Sequence, residues 1–160
     1  MSAKPYVLDT SVLLHLIRGH ALGEYIRVTF QIESPAYRPL VSIVTHGEIW
    51  ALADRNNWGD EKRVALKQTP DSLVTVDLND QSILDAYVEM DRACRAALGG
   101  ARNLGDNDLW IASTTRAADA VLLTTDQDFL HFHPDHCFVH YIDQASRLAG
   151  PQEGTQQGFP

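Results

Sequence analysis

Short apolar runs suited to single buried strands alternate along this chain with stretches of helical periodicity, and two of those runs lead straight into an aspartate. That alternation constrains the fold more than any other feature. Strands joined by helical crossovers with short loops pair in parallel, and a parallel sheet needs helices on both faces. The chain is therefore expected to be an α/β protein of three layers. The expected strands cover 4–8, 40–43, 72–76, 120–123 and 137–142. Expected helices cover 10–18, 20–32, 45–55, 60–68, 79–98 and 106–118, with Gly19, Ser34-Pro35 and Gly99-Gly100 as breaks. Thr10 or Ser11 is expected to cap the first helix, and Thr45 with Glu48 to form a capping box.

A chain of 160 residues, 44% apolar and 21% charged, suits one ordinary globular domain. The domain is expected over 1–145. Residues 146–160 are expected to be a disordered tail, Gly-, Pro- and Gln-rich from Gly150. Cys94 and Cys137 stand far apart in apolar segments, which reads as two buried reduced thiols and a cytoplasmic protein. No signal peptide is recognisable, and no run approaches the roughly 18 apolar residues of a membrane span. The net charge of −8 counts against a nucleic-acid partner, since phosphate affinity normally comes from Lys and Arg. That objection weakens if many of the carboxylates gather in a cation site.

Four acids stand out by position. Asp9 and Asp126 follow apolar strands, and ligands of open parallel sheets collect at the carboxyl ends of the strands. Glu48 and Asp108 are expected in the first turns of helices that start at the same edge. Any one of them is explained by capping or the helix dipole. Two acids at strand ends together with two at helix starts are harder to obtain from capping. Crowded carboxylates repel unless a cation neutralises them, and an all-oxygen donor set suits Mg²⁺ or Mn²⁺. Such a site activates water for in-line attack on a phosphodiester without a histidine base.

These residues also resemble a family. Val7-Leu8-Asp9-Thr10-Ser11-Val12-Leu13 resembles the opening of PIN domains. The run from Ser42 to Glu48, with Ile49 and Ala51, is similar to their second motif. Asn107-Asp108-Leu109-Trp110-Ile111-Ala112 resembles the third, and Leu122-Leu123-Thr124-Thr125-Asp126-Gln127-Asp128-Phe129 the fourth. The motifs run in order over about residues 4 to 142, and the likeness is closest to VapC toxins of toxin–antitoxin pairs. The resemblance implies a PIN-like α/β/α fold and a Mg²⁺- or Mn²⁺-dependent endoribonuclease acting on structured RNA. It also implies a homodimer inhibited by a VapB-like antitoxin peptide that reaches into the site. Asp126 is favoured over Asp128 as the fourth acid, with Asp128 behind it.

Thr10, Ser11 and Thr125 sit beside the acids and could orient them by hydrogen bonds. Asp106 reads as a helix cap or an outer cation contact. His131, His133 and His136 read as a surface loop. Arg95 and Arg102 flank the loop leading to Asp106 and Asp108 and are the candidates for RNA phosphate contact, against the plainer reading of a solvated face. Two rival readings remain open: a phospho-acceptor aspartate domain and a non-catalytic PIN-like scaffold that binds RNA or protein.

Overall fold

The computed structural model describes residues 3–97 and 104–145. Gly99, Gly100, Arg102 and the expected tail lie outside the described residues. The order along the chain is β1 (Tyr6–Leu8), α1 (Thr10–Arg18), α2 (Ala21–Thr29), β2 (Leu40–Ser42), α3 (Ile43–Arg55), α4 (Asp60–Ser72) and β3 (Val74–Val76). Then follow α5 (Gln81–Arg95), α6 (Asp106–Ala117), β4 (Val121–Thr124), a 3₁₀ helix (Gln127–Phe132) and β5 (Phe138–Tyr141). The five strands form one parallel sheet in the order β3-β2-β1-β4-β5.

Side chains alternate across the sheet, which splits the core in two. Val7 of β1 and Leu122 of β4 pair in register and enter one apolar cluster with Met90, Ile111, Ala112, Phe129 and Phe132. Their neighbours Leu8 and Leu123 also pair, and enter the other cluster with Leu13, Leu22, Ile26, Ile49 and Leu66. Thus α5, α6 and the 3₁₀ helix cover one face while α1 to α4 cover the other. Each such fully buried aliphatic or phenyl side chain contributes about 1.5–3 kcal/mol. The expected α/β/α layering is what the chain adopts.

Several boundaries differ from the sequence-based expectation, and each has a local cause. The first helix is capped by Asp9, whose carboxylate accepts from the Thr10 N–H, so Thr10 and Ser11 lie inside α1. Ser42, the last residue of β2, caps α3 by accepting from the Val44 N–H, so the helix starts before Thr45 and Glu48 falls in its second turn rather than its first. Gly105 is the N-cap of α6, and Asp106 is its first helical residue rather than its cap. The helix α4 runs on to Ser72, which shortens β3 at its start. The start of α5, expected at Asn79 or Asp80, falls to Asp80 as its cap, which accepts from the Ser82 N–H.

Gly23 fixes how α2 lies on α1. A Cβ there would meet the His15 carbonyl oxygen at 2.2 Å, a backbone atom that no rotamer change can move. Gly23→Ala would gain up to about 1 kcal/mol in helix propensity. Forcing the two helices apart is expected to outweigh that, as overpacking costs of about 1–3 kcal/mol indicate. Thermal melts should show the variant several degrees less stable; a melting temperature at or above the parent's would contradict the close approach.

Candidate functional site

The chain leaves β1 toward β2 and β3 on one side, while β4 and β5 lie on the other side of β1. The strand order therefore reverses at β1, and a crevice opens past its carboxyl end. Asp9 stands there as the residue after β1, and only 4% of it is exposed. Its Oδ1 accepts from the Thr10 N–H (2.7 Å), and its Oδ2 accepts from Ser11 Oγ (2.9 Å) and Thr124 Oγ1 (2.7 Å). Burial pushes the Asp9 carboxyl above the usual carboxylate range despite these donors, and the charge of Glu48 adds to the rise.

The other acids converge on the same edge from different elements. Glu48 Oε1 accepts from Thr10 Oγ1 at 2.7 Å, and Thr10 Oγ1 lies 3.2 Å from the buried Thr45 hydroxyl. Asp108 lies in the first turn of α6. Its carboxyl is pushed up to about 6, first by burial and then by the charges of Asp9, Glu48 and Asp126. Asp126 caps the 3₁₀ helix, its Oδ1 accepting from the Asp128 N–H at 2.9 Å. Asp128 itself is exposed, and the third charge felt by Asp108 is that of Asp126.

The surrounding polar residues divide differently from expectation. Thr10 and Ser11 do donate to carboxylates. Thr125 meets Ser11 through its backbone N–H (3.3 Å). Thr124 does what sequence reasoning assigned to its neighbour. It is fully buried, donates to Asp9 and accepts from the Asp126 N–H at 3.0 Å, so one hydroxyl joins two of the acids. A polar residue at a buried position of an apolar strand was the available signal. Thr45, also fully buried, was likewise missed as a neighbour of the site. Asp106 lies against Tyr87, holding its phenol proton and raising that group's pKa after burial has done so. Arg95 pairs with Asp91 at 3.0 Å on the exposed face of α5, and Arg102 is outside the described residues.

Among the described residues, no three His, Cys, Asp or Glu side chains are already drawn close enough to hold a metal ion. The donor chemistry nevertheless fits a hard divalent cation: four carboxylates from four elements, no sulfur or imidazole among them, and a half-buried Asp108 destabilised by the other three charges. Beside Glu48 a groove of about 620 Å³ runs over Leu14, Val44, Leu52 and Arg55 toward Asn107.

An open parallel sheet with acids gathered past its switch point belongs to the α/β proteins that bind ligands at the strand ends. Residues 6–133 match the family model of the PIN domain, and the chain belongs to the PIN-domain family. No curated protein sequence matches it. Among solved structures, it resembles a chain of the VapBC2 complex from Rickettsia felis bound to a DNA fragment from their promoter. The TM-score is 0.71 at 20% identity, over 86% of this chain and 98% of that one. A chain of VapBC-1 from nontypeable Haemophilus influenzae gives 0.68 at 21% identity, covering 85% and 96%. One of VapBC-5, a toxin–antitoxin system from Mycobacterium tuberculosis, gives 0.64 at 22% identity, covering 87% and 99%. At such identities the likeness establishes the fold.

The raised Asp108 carboxyl makes stability depend on pH. Its unfolded value is near 3.8 and its folded value about 6, so the folded state holds the proton more tightly. The stability this gives is fully present below 3.8 and is lost as pH rises through about 6. Asp108→Asn keeps the shape and cannot ionise. In metal-free protein it should melt above the parent at pH 7, and that advantage should vanish near pH 4. An equal difference at both pH values would show that ionisation of Asp108 carries no cost.

Proposed function

We propose that this chain is a Mg²⁺- or Mn²⁺-dependent endoribonuclease and the toxin of a VapBC-like pair. The observation that carries the reading is that Asp108 feels Asp9, Glu48 and Asp126 together, past the carboxyl end of the sheet. Asp9, Glu48, Asp108 and Asp126 would hold the cation. When bound, it supplies charge neutralisation and Lewis acidity toward a phosphodiester. Ser11 and Thr124 hold the Asp9 carboxylate, Thr10 holds that of Glu48, and the Asp128 N–H fixes that of Asp126. Asp106 and Thr125 sit one step further out.

The domain is read as 1–145. Two free buried thiols support a cytoplasmic location, and among the described residues no helix is long and apolar enough to cross a membrane. The groove beside Glu48, which sets Leu14, Val44 and Leu52 beside Arg55 and Asn107, suits a VapB-like antitoxin segment, and the complexes named above are of that kind. Arg95 and Arg102 remain the proposed RNA contacts. The exposed Arg95–Asp91 pair is weak enough for phosphate to displace.

Purified protein should cut RNA with Mg²⁺ or Mn²⁺ and stop in EDTA. Asp126→Asn should lose more than the roughly 10–100-fold typical of groups behind the ligands. Mg²⁺ should raise the melting temperature of the parent more than that of the variant, because only the folded state presents the assembled site. In the same preparation, Arg102→Ala should flatten the salt dependence of RNA binding by about 0.7–0.9 in log–log slope. Full cleavage in EDTA would sink the mechanism, and an unchanged slope would return Arg102 to the solvated surface.

Homodimer formation draws support from Leu84 and Val88, exposed one turn apart on α5, and from Trp50 and Ile43 on α3. Light scattering at micromolar concentration should give twice the chain mass, and Val88→Glu should shift it toward the monomer. A monomeric parent would remove the dimer from the reading.

A further inference from the structure

The turn that presents Asp126 is tied to α5 by a side chain outside the acid cluster. Asp128 donates its N–H to Asp126 Oδ1, and the carbonyl of the same residue meets His131 Nδ1. A carbonyl only accepts, so Nδ1 carries the proton, and in the neutral ring Nε2 is left as the acceptor. The partner of Nε2 is Cys94 Sγ of α5, at 3.4 Å and 5% exposed. Burial raises the Cys94 pKa, which keeps it a thiol with an S–H to donate.

Phe129 and Phe132 are fully buried and set where the 3₁₀ helix lies. Apolar burial is non-directional, whereas hydrogen bonds prefer defined angles and so fix how the peptide groups of the turn point. The same helix α5 also braces the element bearing Asp108. Tyr87 stacks on Trp110 of α6 with ring centroids 4.1 Å apart, and its phenol lies against Asp106. One helix thus holds two of the four acids' supports in fixed relation.

We propose that His131, anchored by Cys94, is a positioning residue for Asp126, through a chain of bonds from the Cys94 thiol to the His131 imidazole, across the backbone of Asp128 from its carbonyl to its N–H, and on to the Asp126 carboxylate. The chain sets the angle at which the fourth acid faces the other three. Its effect on cation binding rests on the function proposed above; its effect on the turn does not.

Amide hydrogen exchange of the full, metal-free chain, read by NMR, tests the turn directly. His131→Ala should speed exchange of the Asp128 amide about tenfold, while the amides of Leu122 and Leu123 stay within about twofold. His131→Asn, which can still donate to the Asp128 carbonyl, should recover part of the protection. Cys94→Ser keeps a donor and should behave as the parent, and Cys94→Ala should not. The Cys94 pair carries the test if His131→Ala does not fold. Mn²⁺ titration should then show affinity about three- to tenfold weaker in His131→Ala, below the 10–100-fold typical of groups bonded directly to a ligand. Unchanged Asp128 exchange overturns the positioning role, as does a rise spread evenly over the sheet. Faster Asp128 exchange with parental Mn²⁺ affinity overturns its bearing on the site. If the parent takes up no Mn²⁺, the cation reading fails, and the exchange result alone decides the role of His131.

Discussion

Asp9 is tied to three elements at once, and the site depends on that knot. Its backbone N–H donates to the Leu123 carbonyl of β4 at 3.0 Å, and its own carbonyl accepts from the Leu13 N–H of α1 at 3.0 Å. Its carboxylate caps α1 and accepts from Thr124. Burying an ionised carboxylate is costly unless donors replace the lost water. Here three donors do so, yet desolvation still outweighs them, since the group's pKa rises. The residue is held in place by its hydrogen bonds and remains electrostatically unsatisfied.

That imbalance extends to the other acids. Asp108 feels all three neighbours, and among the described residues no group of three has closed to ligand distance. Mutual repulsion keeps the carboxylates apart, while the hydroxyls of Thr10, Ser11 and Thr124 hold those of Glu48 and Asp9 where they stand. The stability held in the fold elsewhere sustains this arrangement. Two separate apolar clusters flank the sheet, and Gly23 lets α1 and α2 approach closely. The formal charge of −8 is thus partly a property of one crevice rather than of the whole surface.

The strands and most helices were legible because each strand is a short apolar run and each helix keeps its period. The acids at positions 9 and 126 were legible because they end such runs. Capping was read less well. Thr45 with Glu48 matched the spacing of a capping box, but Ser42 lies three residues earlier at the strand end and caps first. Gly105 likewise took the position expected for Asp106. Several residues in each stretch can cap, and the choice between them depends on where the preceding segment leaves the sheet.

The chain by itself determined the alternation, the two core faces and which acids stand at element ends, because these follow from periods of two and 3.6 residues and from backbone conformational preferences. Only the tertiary structure decided that Thr124 rather than Thr125 turns inward to join Asp9 and Asp126, that Arg95 faces Asp91, and that Cys94 meets His131. Those contacts bridge separate elements, and local periodicity carries no information about the distance or angle between them.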